Sequence, residues 1–122
     1  MEEKNISNFY KVDIKNKGRD LVAHLSCSHV KDTVTIKSLF VRKKYRNQGL
    51  EELLICSAEK YAKEKRASKI VVYCGPEPYC KDGQVPLAKE IAFYEQCGFK
   101  LDHYLLGVTP CMEKIISAEV CV

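Results

Sequence analysis

The chain has 122 residues, the length of one domain, and 46% hydrophobic with 30% charged residues is the balance of an ordinary globule. A net charge of +4 is too mild to imply nucleic acid by itself, and with no run of about 18 apolar residues no membrane helix is expected. The charged start, Met1 to Asn5, lacks an apolar core region, which reads as no signal peptide and a cytoplasmic, intracellular protein.

Phe9 to Ile14 reads as a first strand, followed by a turn at Asn16 to Arg19. Leu21, Ala23, Leu25 and Cys27 alternate with Val22, His24 and Ser26, a half-buried strand. His29 to Asp32 can turn the chain. Val34, Ile36 and Phe40 then alternate with Thr35, Lys37 and Leu39, so the two segments form an antiparallel hairpin. The period changes next: Leu50, Leu53, Leu54, Ala58, Tyr61 and Ala62 fall on one helical face. Acidic residues lie early in that helix and basic ones late, as its dipole favours.

Lys69 to Cys74 is a continuous apolar run that suits a strand covered on both faces. Strand, helix and buried strand predict a right-handed βαβ crossover. Gly75 to Pro86 holds three prolines and two glycines and reads as a loop; its 12 residues reach the length at which loops are usually functional. Leu87 to Cys97 has helical spacing, with Gly98 as its C-terminal glycine. Phe99 to Leu106 and Cys111 to Ile116 close the domain as two strands. The expected architecture is a single α/β (α+β) domain over residues 1–122. Its sheet is mixed and mostly antiparallel, with a central βαβ unit and two main helices.

The seven cysteines are odd in number and form no C-x-x-C, so free thiols are expected rather than a disulfide framework or a metal site. The informative segment is Val41-Arg-Lys-Lys-Tyr-Arg-Asn-Gln-Gly-Leu-Glu51, which joins a strand to a helix. The first N–H groups of a helix have no internal partner, and the dipole adds partial positive charge there. Gly49 allows an anion to approach the backbone, and Arg42, Lys43, Lys44 and Arg46 supply cations. These features read as a phosphate or pyrophosphate site, or else as a solvated basic turn.

Arg46-Asn-Gln-Gly49-Leu-Glu51 followed by Phe93-Tyr94 and Gly98-Phe99 resembles the GNAT superfamily of acyl-CoA-dependent N-acyltransferases, over about Leu21 to Leu106. The resemblance implies acetyl-CoA as cosubstrate and a primary amine as acceptor. It implies that the amides of Asn47, Gln48, Gly49, Leu50 and Glu51, with Arg46, hold the pyrophosphate. Main-chain groups of Phe40 and Val41 would pair with the pantetheine arm as an added strand does. Tyr94 would protonate the departing thiolate; the plain alternative for Tyr94 is a core aromatic. Glu77, just past the Lys69–Cys74 strand, is the first candidate for the base, with Asp82, His24 and His103 behind it. Cys74 is a possible nucleophile or a small core residue.

Two departures stand out. Glu51 occupies a position where the family has Gly or Ala, and only Asn16 to Asp20 lies where the family usually has one or two helices. The acceptor site is therefore expected to be open, or completed by the Gly75–Pro86 loop or by a second subunit of a homodimer. An open site would suit a protein amine. A domain that binds CoA or a protein without efficient catalysis is the rival reading, and nucleic-acid binding through Arg42 to Arg46 is a third.

Overall fold

The computed structural model describes residues 8–75 and 85–116. Its order is β1 (Phe9–Lys15), β2 (Leu21–Val30), β3 (Thr33–Val41), α1 (Leu50–Glu64), β4 (Lys69–Tyr73), α2 (Leu87–Gln96), β5 (Lys100–Leu105) and β6 (Thr109–Ile115). The six strands form one sheet in the order β1-β2-β3-β4-β6-β5. Only β3 and β4 run parallel; every other neighbouring pair is antiparallel. The mixed sheet with two helices is the expected fold class.

Local chemistry explains the joints. Between β1 and β2, Asn16 Oδ1 accepts from the Asp20 N–H at 2.9 Å, and Arg19 turns through a φ of 70°. Lys31 takes a φ of 55° in the two-residue turn before β3. At the end of α2, Gly98 has a φ of 96°, and the Phe99 N–H reaches back to the Tyr94 carbonyl at 2.9 Å, closing the last turn.

Ala23, Leu25, Val34, Ile36, Ile70, Val72 and Met112 from the sheet pack with Leu54, Ala58, Tyr61 and Tyr94 from the helices. Both helices lie on this one face, tied together by Lys114 of β6. Its Nζ donates to Glu59 Oε2 of α1 at 2.6 Å and to the Cys97 carbonyl after α2 at 2.8 Å. Tyr61 stacks on Tyr10 with centroids 4.7 Å apart, which carries the core out to β1. Ile70, Val71 and Val72 are all buried; since successive strand residues point to opposite faces, β4 is covered on both.

Two expectations about faces change. Leu53 is 53% exposed and Ile55 takes its place in the core, because α1 is rotated slightly about its axis while Leu54, Ala58, Tyr61 and Ala62 stay buried. In β3 the alternation does not run through. Cys27 pairs with Ile36 but Ser26 pairs with Ser38, so Lys37 is an extra residue in a β-bulge. Past it, Leu39 and Val41 face the helices and Phe40 faces the other side beside His24.

Candidate functional site

The ladder between β3 and β4 is four residues long, Thr33 to Ile36 against Lys69 to Val72. It stops at the bulge. β3 continues to Val41 without β4 beside it, and a cleft of about 980 Å³ opens there. Leu39, Phe40 and Val41 form one wall, Gly75 at the end of β4 the other, and Phe93 and Tyr94 of α2 a third.

The free edge of β3 carries peptide groups. The Arg42 N–H donates to the Val22 carbonyl of β2 at 2.8 Å. Peptide groups alternate sides along a strand, so those of Phe40 also turn to β2, while those of Leu39 and Val41 turn toward the cleft. Arg46 Nε donates to the Val41 carbonyl at 2.8 Å, as that direction requires. Phe40 lines the cleft with its peptide groups turned to β2, and Leu39 and Val41 are the residues whose peptide groups face the cleft.

A short 3-10 turn at Lys43–Tyr45 leads from β3 toward α1. Asn47 follows with a φ of 63°, then Gly49, which caps α1 at φ 88° and ψ 0°. A Cβ built on Gly49 would meet nothing within 4 Å, so this glycine serves backbone conformation and leaves open space over the first amides of α1. Lys43, Arg46 and Asn47 line the cleft here, and so do Glu51 and Glu52. Gln48 and Leu50 are not among the lining residues; Leu50 packs on the core instead.

Tyr94 is 3% exposed, with Phe93 and Phe99 at ring-centroid distances of 5.2 and 5.3 Å. It is a core aromatic that also forms part of the cleft wall. Glu77 and Asp82, with the rest of residues 76–84 of the expected Gly75–Pro86 loop, lie outside the described residues. His24 Nδ1 meets Asp13 Oδ1 at 2.6 Å on the sheet face away from the helices, and His103 meets Asp102 at 2.6 Å on the edge strand. Neither histidine lines the cleft. Cys74 is buried, and that burial, followed by the nearby Glu90 charge and Cys111, pushes its thiol up to about 12. At neutral pH it is a protonated packing residue rather than a nucleophile.

Sequence reasoning missed Glu90. It lines the cleft, and the Gly75 N–H donates to its Oε2 at 3.4 Å. The available signal was spacing: Glu90 precedes Tyr94 by four residues on a helix, which sets both on one face. Among the described residues no cluster of three or more His, Cys, Asp or Glu is placed to hold a metal. No described helix is long and apolar enough to cross a membrane.

The acetyltransferase (GNAT) family model matches residues 2–99. The chain belongs to that family. No curated protein matches it in sequence. Among solved structures, the Paia N-acetyltransferase of Thermoplasma acidophilum, in complex with coenzyme A, superposes with a TM-score of 0.71 at 18% identity over 88% of this chain and 61% of that one. An acetyltransferase of the GNAT family from Staphylococcus aureus gives 0.72 at 15% identity, over 91% and 70%. The ribosomal-protein-S18-alanine N-acetyltransferase of Escherichia coli gives 0.69 at 19% identity, over 90% and 70%. At these identities the likeness shows the fold, and the chain spans 61 to 70% of the length of these three.

Proposed function

We propose that residues 1–122 form one domain that transfers an acetyl group from acetyl-CoA to a primary amine by direct attack. The observation that carries this reading is convergence on one cleft: the free edge of β3, the open amides at the start of α1, and Tyr94. The cleft volume, about 980 Å³, suits an extended cosubstrate. A pyrophosphate fits at Gly49, where the backbone is bare and the helix presents unpaired N–H groups. Bound there, acetyl-CoA supplies an activated acyl carbon and a thiol leaving group.

In this reading the chain's own residues do four things. The amides from Asn47 to Glu51, with the Lys43 and Arg46 side chains, hold the anion. Leu39 and Val41 present peptide groups to an amide-bearing arm as an added strand would receive them. The Val41 N–H, on the same edge, polarises a carbonyl oxygen placed opposite it. The Tyr94 hydroxyl gives a proton to sulfur; a phenol near 10 and a thiol near 8.5 are close enough for that transfer. Activity in the cytoplasm on small-molecule or protein amines is part of the proposal.

Glu51 supports a second reading, a CoA-binding domain of weak catalysis, because it sets a carboxylate in the cleft at the first turn of α1. One experiment separates them. Acetyl-CoA at a hundred times its Kd should stabilise the fold by about 2.7 kcal/mol, read as a rise in melting temperature. Thiol release with a panel of primary amines should then accompany amide formation by mass. Tyr94→Phe should lower turnover at least about tenfold with CoA affinity retained. Stabilisation without thiol release favours the second reading, and no stabilisation at millimolar acetyl-CoA sinks both.

A further inference from the structure

Beside the main cleft lies a smaller cavity of about 230 Å³, and the two share Gly75, Val85 and Glu90. The rest of its wall includes Leu87 of α2 with Val108 and Pro110 at the start of β6. The rim is apolar and accessible: Val85 is 42%, Leu87 43% and Val108 72% exposed. Glu90 is a half-buried carboxylate on the common wall. Its Oε2 accepts from Gly75 at 3.4 Å, and its charge helps to push the Cys74 thiol up. It stands four residues before Tyr94 on α2, a rise of about 6 Å along one face.

We infer that this side cavity is the acceptor subsite, taking a primary ammonium on Glu90 and an apolar substituent on the Val85, Leu87 and Val108 rim. The inference rests on the acetyl-transfer reading and adds to it a substrate class and a proton acceptor. A free primary amine with a pKa near 10.4 is neutral in only about one molecule in 2,500 at pH 7, so the bound ammonium must lose a proton before it can attack. Desolvation penalises the charged forms of both carboxylate and ammonium, which lowers the cost of moving the proton between them. The ammonium gives one proton to Glu90, which passes it to solvent. The nitrogen lone pair then forms the bond to the acetyl carbon, and the carbon–sulfur bond breaks with its electron pair on sulfur. The second nitrogen proton replaces the one Tyr94 delivers to sulfur. Ammonium and acetyl thioester thus become amide, thiol and one released proton.

The test is Glu90→Gln, which keeps an oxygen for the Gly75 N–H and removes the charge. Phenylethylamine, a leucine-first peptide and an aspartate-first peptide serve as acceptors. The variant should melt within a few degrees of the wild type and keep its KM for acetyl-CoA. Its kcat/KM for amines at pH 7 should fall at least tenfold. The deficit should shrink toward about pH 8 for the peptides and about pH 10 for phenylethylamine, where the ammonium loses its proton unaided. The titratable groups that line the same two cavities and also bear on this profile are Cys74 just past β4, Lys89 and Tyr94 of α2, Glu51 and Glu52 of α1, and Lys43 and Arg46. Wild-type protein should prefer phenylethylamine and the leucine peptide to the aspartate peptide. Equal kcat/KM in a folded Glu90→Gln variant, or a preference for the aspartate peptide, overturns the subsite while acetyl transfer stands. Wild-type protein that releases no thiol with any amine overturns the transfer reading and the subsite with it.

Discussion

Glu51 and Gly49 pull in opposite directions at the same helix start. Gly49 clears the backbone for an anion, with nothing beyond its own chain neighbours within 4 Å of its missing Cβ, while Glu51 adds a negative charge in the first turn of α1. A carboxylate there favours the helix dipole by about 0.3–1 kcal/mol. Against a pyrophosphate about 4 Å away it costs roughly 1–4 kcal/mol at effective dielectrics between water and a protein surface. The second effect wins once the ligand is present. Glu51→Ala should therefore tighten CoA binding several-fold, measured by calorimetry, and shift the melting temperature of the free protein little. Weaker binding in the variant would mean that the carboxylate organises the turn.

Within β3, one residue decides the shape of the site. The bulge at Lys37 bends the strand where its ladder with β4 ends. Lys37 is exposed, so its identity contributes little and its presence contributes the bend. Lys37→Ala should keep CoA affinity within about twofold. Deletion of Lys37 leaves Ser38 opposite Ser26 and every core residue on its face, yet lets β3 run on beside β4. That variant should fold, by circular dichroism, and lose CoA binding; retained affinity would show that the cleft does not depend on the bulge. The bulge is also where the sequence was misread. Ile36 and Phe40 sit four apart in an apparently regular alternation, and no turn residue marks the added one. The helices and the Asn47–Glu51 turn were legible because glycine, charge and period all point the same way there. Glu90 was not, since a lone acid in an early helical turn has the same pattern whether it faces solvent or a cavity.

At the scale of the whole molecule, a sheet with both helices on one face encloses several thiols. Burial pushes Cys27 and Cys74 from 9.0 up to about 12, and Cys97 and Cys111 are also raised, mainly by burial. The folded values lie above the unfolded ones, so the stabilising contribution is complete below pH 9. It is lost as pH rises toward 12, because the unfolded chain gives up its thiol protons first. Melting temperature should fall steadily between pH 9 and 11, and less steeply in Cys27→Ala. The buried tyrosine Tyr61, raised chiefly by burial, acts in the same direction. A flat melting temperature across that range would contradict the burial of these thiols.

The same thiols bear on where an acyl group can go astray. A thioester is open to exchange with any thiolate within reach, and the thiolate rather than the thiol is the attacking form. Cys74 lines the side cavity, within the neighbourhood of a bound acyl group in the proposed function. With its thiol pushed up to about 12, about one molecule in 10⁵ carries the thiolate at pH 7. Self-acylation is thus suppressed by burial at the place where an exposed cysteine would compete with the amine. In the proposed reaction the amine nitrogen therefore meets no competing thiolate from Cys74.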